Sequence, residues 1–406
     1  NTTHSQFKIS TGSGYSIVMV EFCLYMVIFW MFLKTRITKC FALNCRNVNF
    51  SNAVWLVGET PVTGLSNQLS AVYSYIPAAL LLNANLIVNV MYSRKNFEIR
   101  MRQFDQEKDG KSIMSFADFF DWTWFSSYWG RKGVQAFLYD EIMNCFLQDT
   151  SFQYIDEFLK GKTKLIQRKK WRSASHKELL MMVNLSRITV PINNGTILRF
   201  KSKFKMMSLF NFRSVNSNSL LLQVHESIRP NKNIQIAAEK VLQFLPPNYI
   251  VIHLRVEGDV ILKSHNSSSD PEFYKELPLI VAAVKESICI KKVPNTTVIY
   301  IASGAFNAPM NSYSRQRELC IRSAITQLGF RNIYSRANIL SLTNDTLPAE
   351  LGAYVDLLVA RRGKCFVSAH VPSSFSYTAQ RMKELDTGII DTLIMAPNRR
   401  YSSYFF

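Results

Sequence analysis

Two hydrophobic rhythms alternate along this chain. Short β-type apolar runs are separated by longer stretches whose apolar positions recur at helical spacing, a pattern that predicts an α/β architecture. Ala53 to Val57 (AVWLV) predicts a strand and Gly58 to Ser66 a turn-rich loop. Leu69, Val72, Tyr73, Ile76 and Leu80 then mark one face of a helix, and Leu86 to Met91 a second strand. The pattern blurs from Phe97 to Asn233, an aromatic and basic region with helices predicted at Ser112 to Asp121 and Gly133 to Gln148 and long loops between. It sharpens again after Pro246-Pro247. Strands are predicted at Tyr249 to Val256, Thr297 to Ala302, Asn332 to Tyr334 and Cys365 to Ala369. Helices are predicted at Leu277 to Ile290, Arg315 to Leu328 closed by Gly329, Pro348 to Arg361, and Ser374 to Lys383. Two such strand-helix systems predict a ligand cleft between them, outside the carboxyl ends of the strands.

One segment stands apart. Ser16 to Leu33 (SIVMVEFCLYMVIFWMFL) is apolar except for Glu21 and, at about 1.5 Å per residue, just spans a hydrocarbon core. It reads as a membrane anchor; the rival reading is a signal peptide, whose apolar stretch is usually about 7–15 residues. Lys34, Arg36, Lys39 and Arg46 follow it and only His4 and Lys8 precede it, which by the positive-inside rule places the C-terminal part in the cytosol. Other features favour the secretory lumen, and that is the reading adopted. Beyond Cys23 an even set of cysteines remains (Cys40, Cys45, Cys145, Cys289, Cys320, Cys365), without a CxxC pair, compatible with disulfides. Asn-x-Ser/Thr acceptors stand at Asn49, Asn184, Asn194, Asn266, Asn295 and Asn344. The expected organisation is an anchor at 16–33, an N-terminal Rossmann-like unit at 45–235 and a C-terminal one at 236–406.

At 406 residues, 48% hydrophobic and 19% charged, the chain cannot be disordered, collagenous or a small disulfide scaffold. Its net charge of +19 suggests a polyanionic partner. The densest basic run is Lys160, Lys162, Lys164, Arg168, Lys169, Lys170 and Arg172 around Trp171, echoed by Arg199, Lys201, Lys203 and Lys205. Behind a membrane anchor a nucleic-acid partner is not expected. A solvated loop or helix face explains the run, with an acidic glycan or an anionic membrane surface as the second reading.

Three loops carry candidate chemistry. Thr63-Gly64-Leu65-Ser66-Asn67-Gln68 lies between a strand and a helix, where Gly64 allows a close turn and helix-opening amides face an anion; a plain cap by Ser66 or Asn67 explains it equally well. In Val251 to Asp259 the period-two pattern puts His253, Arg255, Glu257 and Asp259 on one face. A polar stripe in a sheet covered on both sides points to a cleft rather than a core, a surface edge strand being the alternative. There Arg255 suits bidentate phosphate binding. The third loop, Phe366 to Ser376, ends in a serine-rich helix start where Ser373 or Ser374 can cap the helix and face a diphosphate.

Taken together these motifs resemble the GDP-fucose protein O-fucosyltransferase family, especially its plant-type branch. The similarity lies in Gly64-Leu65-Ser66-Asn67-Gln68 with Leu81 to Val88, in His253-Leu254-Arg255-Val256-Glu257-Gly258-Asp259, in Ile299 to Gly304, in Asp356, and in Ser373-Ser374-Phe375. It covers most of residues 53 to 384 and is thin in the middle. The resemblance implies a GT-B fold, two Rossmann-like domains facing a cleft, and inverting, metal-independent transfer of fucose from GDP-fucose to a hydroxyl of a protein or glycan acceptor. It implies that Arg255 holds the diphosphate, that Ser373, Ser374 and Phe375 bind phosphate, and that His253, Asp259 and Asp356 contact the nucleotide. Asn67 would sit near the sugar, beside Gly64. With the segment 16–33 as anchor, the expected location is the Golgi or ER membrane. The chain has no Asp-x-Asp, so no metal is expected and the leaving-group charge falls to Arg255 and helix amides. Glu59, and second Glu257, are the candidates for general base. The first loop has Leu65-Ser66 where the plant branch commonly has a second glycine, and nothing like SGC follows Asp259. A UDP-rhamnose transferase of the same fold and a non-catalytic binding protein are therefore the alternatives.

Overall fold

The computed structural model describes residues 53–60, 64–81, 83–94, 111–146, 154–155, 197–201, 218–254, 277–278, 281–282, 284–285, 293–304, 313–340, 347–369, 373–387 and 394–395. The segment 16–33, the basic run 160–172, Arg255, Glu257 and Asp259 lie outside them. Among the described residues no helix is long and apolar enough to cross a membrane.

The first half is built on β1 (Trp55–Glu59) and α1 (Leu65–Leu81), followed by β2 (Asn85–Val88). β3 (Met91–Arg94) and β4 (Lys111–Met114) form an antiparallel pair. Then come α2 (Phe116–Phe119), α3 (Trp122–Gly130), β5 (Ala136–Leu138), α4 (Tyr139–Phe146), β6 (Tyr154–Ile155) and β7 (Ile197–Lys201). The strands β5-β2-β1-β7-β6 make a fully parallel sheet, with Trp55 opposite both Asn85 and Ile197. Arg199 and Lys201, read from sequence as an echo of the basic surface, are strand residues of β7, between β1 and β6.

Local polar bonds redraw the middle of this half. The strand expected over Leu86 to Met91 is two strands. Asn89 Oδ1 accepts the Val90 amide at 2.8 Å, and the chain leaves the parallel sheet to join β4. Gln68, fully buried on α1, acts as a surrogate strand: its side-chain amide donates to the Tyr92 carbonyl and accepts from the Tyr92 amide, both at 2.8 Å. The helix expected over Ser112 to Asp121 is instead β4 followed by α2, which starts at a Ser115–Asp118 capping box. Asp121 then caps α3, and Gly133, at φ +83°, lets the chain turn back before β5 takes the edge of the sheet. The helix expected over Gly133 to Gln148 is therefore a short strand and α4.

Two helices, α5 (Asn218–Ser227) and α6 (Lys232–Phe244), lead to the second half. There β8 (Ile250–Leu254), β9 (Ile299–Ala302), β10 (Ile333–Ser335), β11 (Cys365–Ala369) and β12 (Ile394–Met395) form a second parallel sheet in the order β10-β9-β8-β11-β12. Its helices are α7 (Tyr313–Gln327), α8 (Arg336–Leu340), α9 (Ala349–Arg362) and α10 (Ser374–Thr387). α7, α9 and α10 fall close to the expected positions, α8 is additional, and residues 277–278, 281–282 and 284–285, the described part of the helix expected over Leu277 to Ile290, are helical. Gly329, at φ +100°, follows α7 where a left-handed residue stops a helix. β8 is buried along its whole length. Ile250, Ile252 and Leu254 join one apolar cluster with Ile299, Ile301 and Val367, while Val251 and Tyr300 join a larger one on the opposite face. That larger cluster runs without a break from Leu56 in the first half to Tyr354 and Met382 in the second.

A polar cluster also joins the halves. Tyr73 on α1 hydrogen-bonds His225 Nδ1 at 2.7 Å, and His225 Nε2 meets Asp386 Oδ1 on α10 at 2.9 Å. Arg361 Nε on α9 donates to Asp386 Oδ2 at 2.7 Å. Burial lowers the His225 pKa from 6.5, outweighing its bond to Asp386. Burial also acts to raise the Asp386 carboxyl, yet bonds from His225 and Arg361 hold it down at about 2. The sign of the pH effect follows. Below pH 6.5 the unfolded chain protonates this histidine before the folded chain does, so stability present above that pH is lost as pH falls. Asp386 adds a second loss as pH drops from 3.8 toward about 2. Thermal unfolding from pH 8 to pH 4.5 is expected to show a midpoint that falls below about pH 6.5, with a shallower fall in a His225→Gln variant.

Candidate functional site

The second sheet sets two polar side chains edge to edge. β8 and β11 pair in parallel with His253 opposite Ser368, each the penultimate residue of its strand. The chain then re-enters as α10, whose first turn lies over these strand ends. His253 Nδ1 and Ser376 Oγ are 2.7 Å apart, and Ser376 Oγ is 2.7 Å from Ser368 Oγ. Phe375 stacks on the His253 ring with centroids 4.6 Å apart and planes 22° from parallel. All three polar residues are buried. Ser373 Oγ accepts the Phe375 amide at 3.2 Å, so of the two serines expected as caps it is Ser373 that bonds a first-turn amide. Ser374 opens the helix and is half-buried. Opening amides of a 14-residue helix, directed at strand carboxyl ends, suit an anion.

Asp356 lies on α9, which packs against α10, and is buried. Tyr300 Oη donates to its Oδ1 at 2.6 Å, and Arg336 Nε lies 3.3 Å from the same oxygen. Burial raises the Asp356 carboxyl, against the opposing pull of Arg336 and Tyr300. A Cβ on Gly352, one helical turn earlier, would overlap the Arg336 guanidinium, so the glycine makes room for this ion pair. The bonds described for Asp356 are thus to protein groups.

In the first half, Glu59 ends β1 in register with Lys201, and the buried Thr60 follows it, its Oγ1 without a hydrogen-bond partner among the described residues. The expectation for the next loop needs correction. α1 begins at Leu65, and the Gly64 carbonyl accepts the amides of Asn67 and Gln68 at 3.0 and 3.3 Å. Ser66 and Asn67 are therefore helix residues rather than caps. Nor does the backbone demand glycine at 64, where φ is not in the left-handed region and a Cβ would meet nothing within 4 Å among the described residues. Asn67 is half-buried in the first turn.

The structure brings His253, Ser373, Ser374 and Phe375 together at one helix start. It places Asp356 in a neighbouring internal network, and Gly64 and Asn67 at the start of α1 in the other half. Ser368 and Ser376 were not singled out in sequence. A signal was present, since both lie within the motif Phe366 to Ser376 and Ser376 falls next to the apolar positions of an amphipathic helix. Among the described residues no cluster of His, Cys, Asp and Glu could hold a metal ion.

Comparison with known proteins decides the family. The sequence model of the GDP-fucose protein O-fucosyltransferases matches residues 55–386, which include both sheets except β12 and the whole His253–Ser376 cluster. The chain belongs to the GDP-fucose protein O-fucosyltransferase family. This O-fucosyltransferase family member is accordingly a glycosyltransferase. Among solved structures it is similar to POFUT1 in complex with GDP, at 12% identity and a TM-score of 0.46, covering 83% of this chain and 96% of the other. POFUT1 in complex with GDP-fucose is similar at 11% identity and a TM-score of 0.47, over 83% and 95%. The fucosyltransferase NodZ from Bradyrhizobium is similar at 12% identity and a TM-score of 0.45, over 81% and 92%. No curated protein matches the sequence.

Proposed function

We propose that this family member transfers fucose from GDP-fucose to a hydroxyl of a protein or glycan acceptor, with inversion and without a metal ion, in a GT-B arrangement. The observation that carries the reading is the helix start of α10, set over the ends of β8 and β11 inside the region matched by the family. The diphosphate would lie against the amide of Ser374 and the hydroxyl of Ser373, whose oxygen accepts the Phe375 amide and so is held at the helix start, with Arg255 supplying the fixed positive charge. The leaving group is a nucleoside diphosphate that gains charge as the glycosidic bond breaks, so donors already aimed at it favour the transition state over the bound donor. His253 is assigned to the nucleotide together with Phe375. Asp259 and Asp356 are assigned to it by motif, and Asn67 and Gly64 to the sugar side from the opposite half. Glu59, at the end of β1, is the proposed base for the acceptor hydroxyl, with Glu257 second.

The proposed setting is the lumen of the Golgi or ER, with 16–33 as the anchor. The disulfide at Cys365 supports an oxidising compartment, although Cys320 is free, so the even set of cysteines does not pair completely.

A donor screen on the full chain tests the reading. Transfer to an acceptor mixture, or slow donor hydrolysis, is expected with GDP-fucose, inhibited by GDP and unchanged by EDTA. Preference for UDP-rhamnose would overturn the donor, and tight GDP binding without any turnover would favour a binding protein.

A further inference from the structure

We propose that Ser376, backed by Ser368, is a positioning residue of the donor site: it sets the His253 ring against Phe375 and so holds the start of α10 in place. The inference rests on the donor reading above. Ser376 Oγ stands midway in a chain from His253 Nδ1 to Ser368 Oγ, with both contacts at 2.7 Å. Ser376 is only 1% exposed, so water cannot replace either bond.

The three groups belong to three elements. His253 is on β8, Ser368 on β11 and Ser376 on α10, so the chain ties the helix to both strands beneath it. It also limits the ring. An imidazole free to rotate could turn its edge toward Phe375, whereas the bond at Nδ1 holds the two planes 22° apart. Arg255 follows two residues after His253, and Ser373 and Ser374 precede Ser376, so one hydroxyl organises both proposed sources of positive potential for the diphosphate.

A hydroxyl chain suits this place for a second reason. Each serine has one proton and can accept as well as donate, so the chain serves a neutral histidine in either direction. If the ring takes a proton beside a bound diphosphate, Nδ1–H donates to Ser376 and Ser376 donates to Ser368. No side chain has to move for the two bonds to reverse direction.

The test uses the full chain, with GDP binding by calorimetry and steady-state transfer from GDP-fucose. Ser376→Ala is expected to weaken GDP binding and raise the KM for GDP-fucose by about tenfold, the scale of one buried hydrogen bond. kcat should change less than about threefold, because the hydroxyl acts through the ring and not on the reacting atoms. Ser368→Ala should give a smaller change in the same direction. In a His253→Ala background, Ser376→Ala should have a much smaller further effect on GDP binding, since the ring is gone and only the tie to Ser368 remains. Equal GDP affinity for wild type and Ser376→Ala, with Tm lowered alone, would overturn the positioning role and leave the donor reading standing. Additive losses with His253→Ala would overturn it as well. A wild-type chain that binds neither GDP nor GDP-fucose overturns the donor reading and this proposal with it.

Discussion

Arg255→Ala is expected to lower kcat for fucosyl transfer by at least about 10²–10³-fold, the usual loss when one preorganised stabiliser of developing negative charge is removed. The argument begins with the leaving group. In the proposed metal-free transfer GDP takes up the bonding electrons as fucose departs, and the site then needs another fixed positive charge. The amides of α10 supply partial charge only. Arg255 is the one full positive charge in the motif from His253 to Asp259, and it follows directly on the end of β8. A guanidinium can meet two phosphate oxygens at once, and an ammonium cannot. Arg255→Lys is therefore expected to recover part of the loss and no more. Both variants should keep the wild-type melting temperature, and the check is kcat and Tm measured on the same preparations. A kcat for Arg255→Ala within a few fold of wild type would remove Arg255 from the mechanism.

The largest expected loss of stability comes from the network around Asp356. Both partners of the Arg336–Asp356 pair are nearly enclosed, with side chains 7% and 6% exposed. Removing either one leaves the other as a buried charge without its counter-ion, which costs about 3–5 kcal/mol. Arg336→Met and Asp356→Ala should each lower the unfolding free energy by that amount, read from urea denaturation. Gly352→Ala should act in the same direction by displacing the guanidinium it makes room for. Tyr300→Phe removes a single hydrogen bond at 2.6 Å and should cost less, about 1–3 kcal/mol. The double variant Arg336→Met/Asp356→Leu distinguishes a need for charge from a need for pairing. It should lose less than either single change, because no charge remains unpaired.

The legibility of this molecule from sequence follows from where its information is stored. Residues 248 to 384 were readable because the buried strands of a doubly covered parallel sheet are continuous apolar runs, as in Ile250 to Leu254. The helices that cover them begin and end at local signals such as Pro348 and Gly329. The region around Ser112 to Gln148 misled, because its breaks are made by single polar side chains. Ser115, Asp118 and Asp121 bond to backbone within a few residues, and apolar periodicity is blind to such bonds. In the Gly64 loop the helix start, not a side-chain cap, takes Ser66 and Asn67, because the Gly64 carbonyl already accepts the amides of Asn67 and Gln68.

Sequence alone determined the α/β class, the positions of most strands and helices in the second half, and the motifs that point to a nucleotide sugar. These follow from local periodicity and from residue types at fixed spacing, both carried within one segment. Only the tertiary structure decided which polar groups meet. His253 and Ser376 are 123 residues apart in the chain, His225 and Asp386 are 161 apart, and Tyr300 and Asp356 are 56 apart. Strand register and helix packing set those distances, and both are fixed by the apolar core as a whole. A buried polar side chain takes its partner from whatever the packing brings within about 3 Å of it, and no pattern in its own segment names that partner.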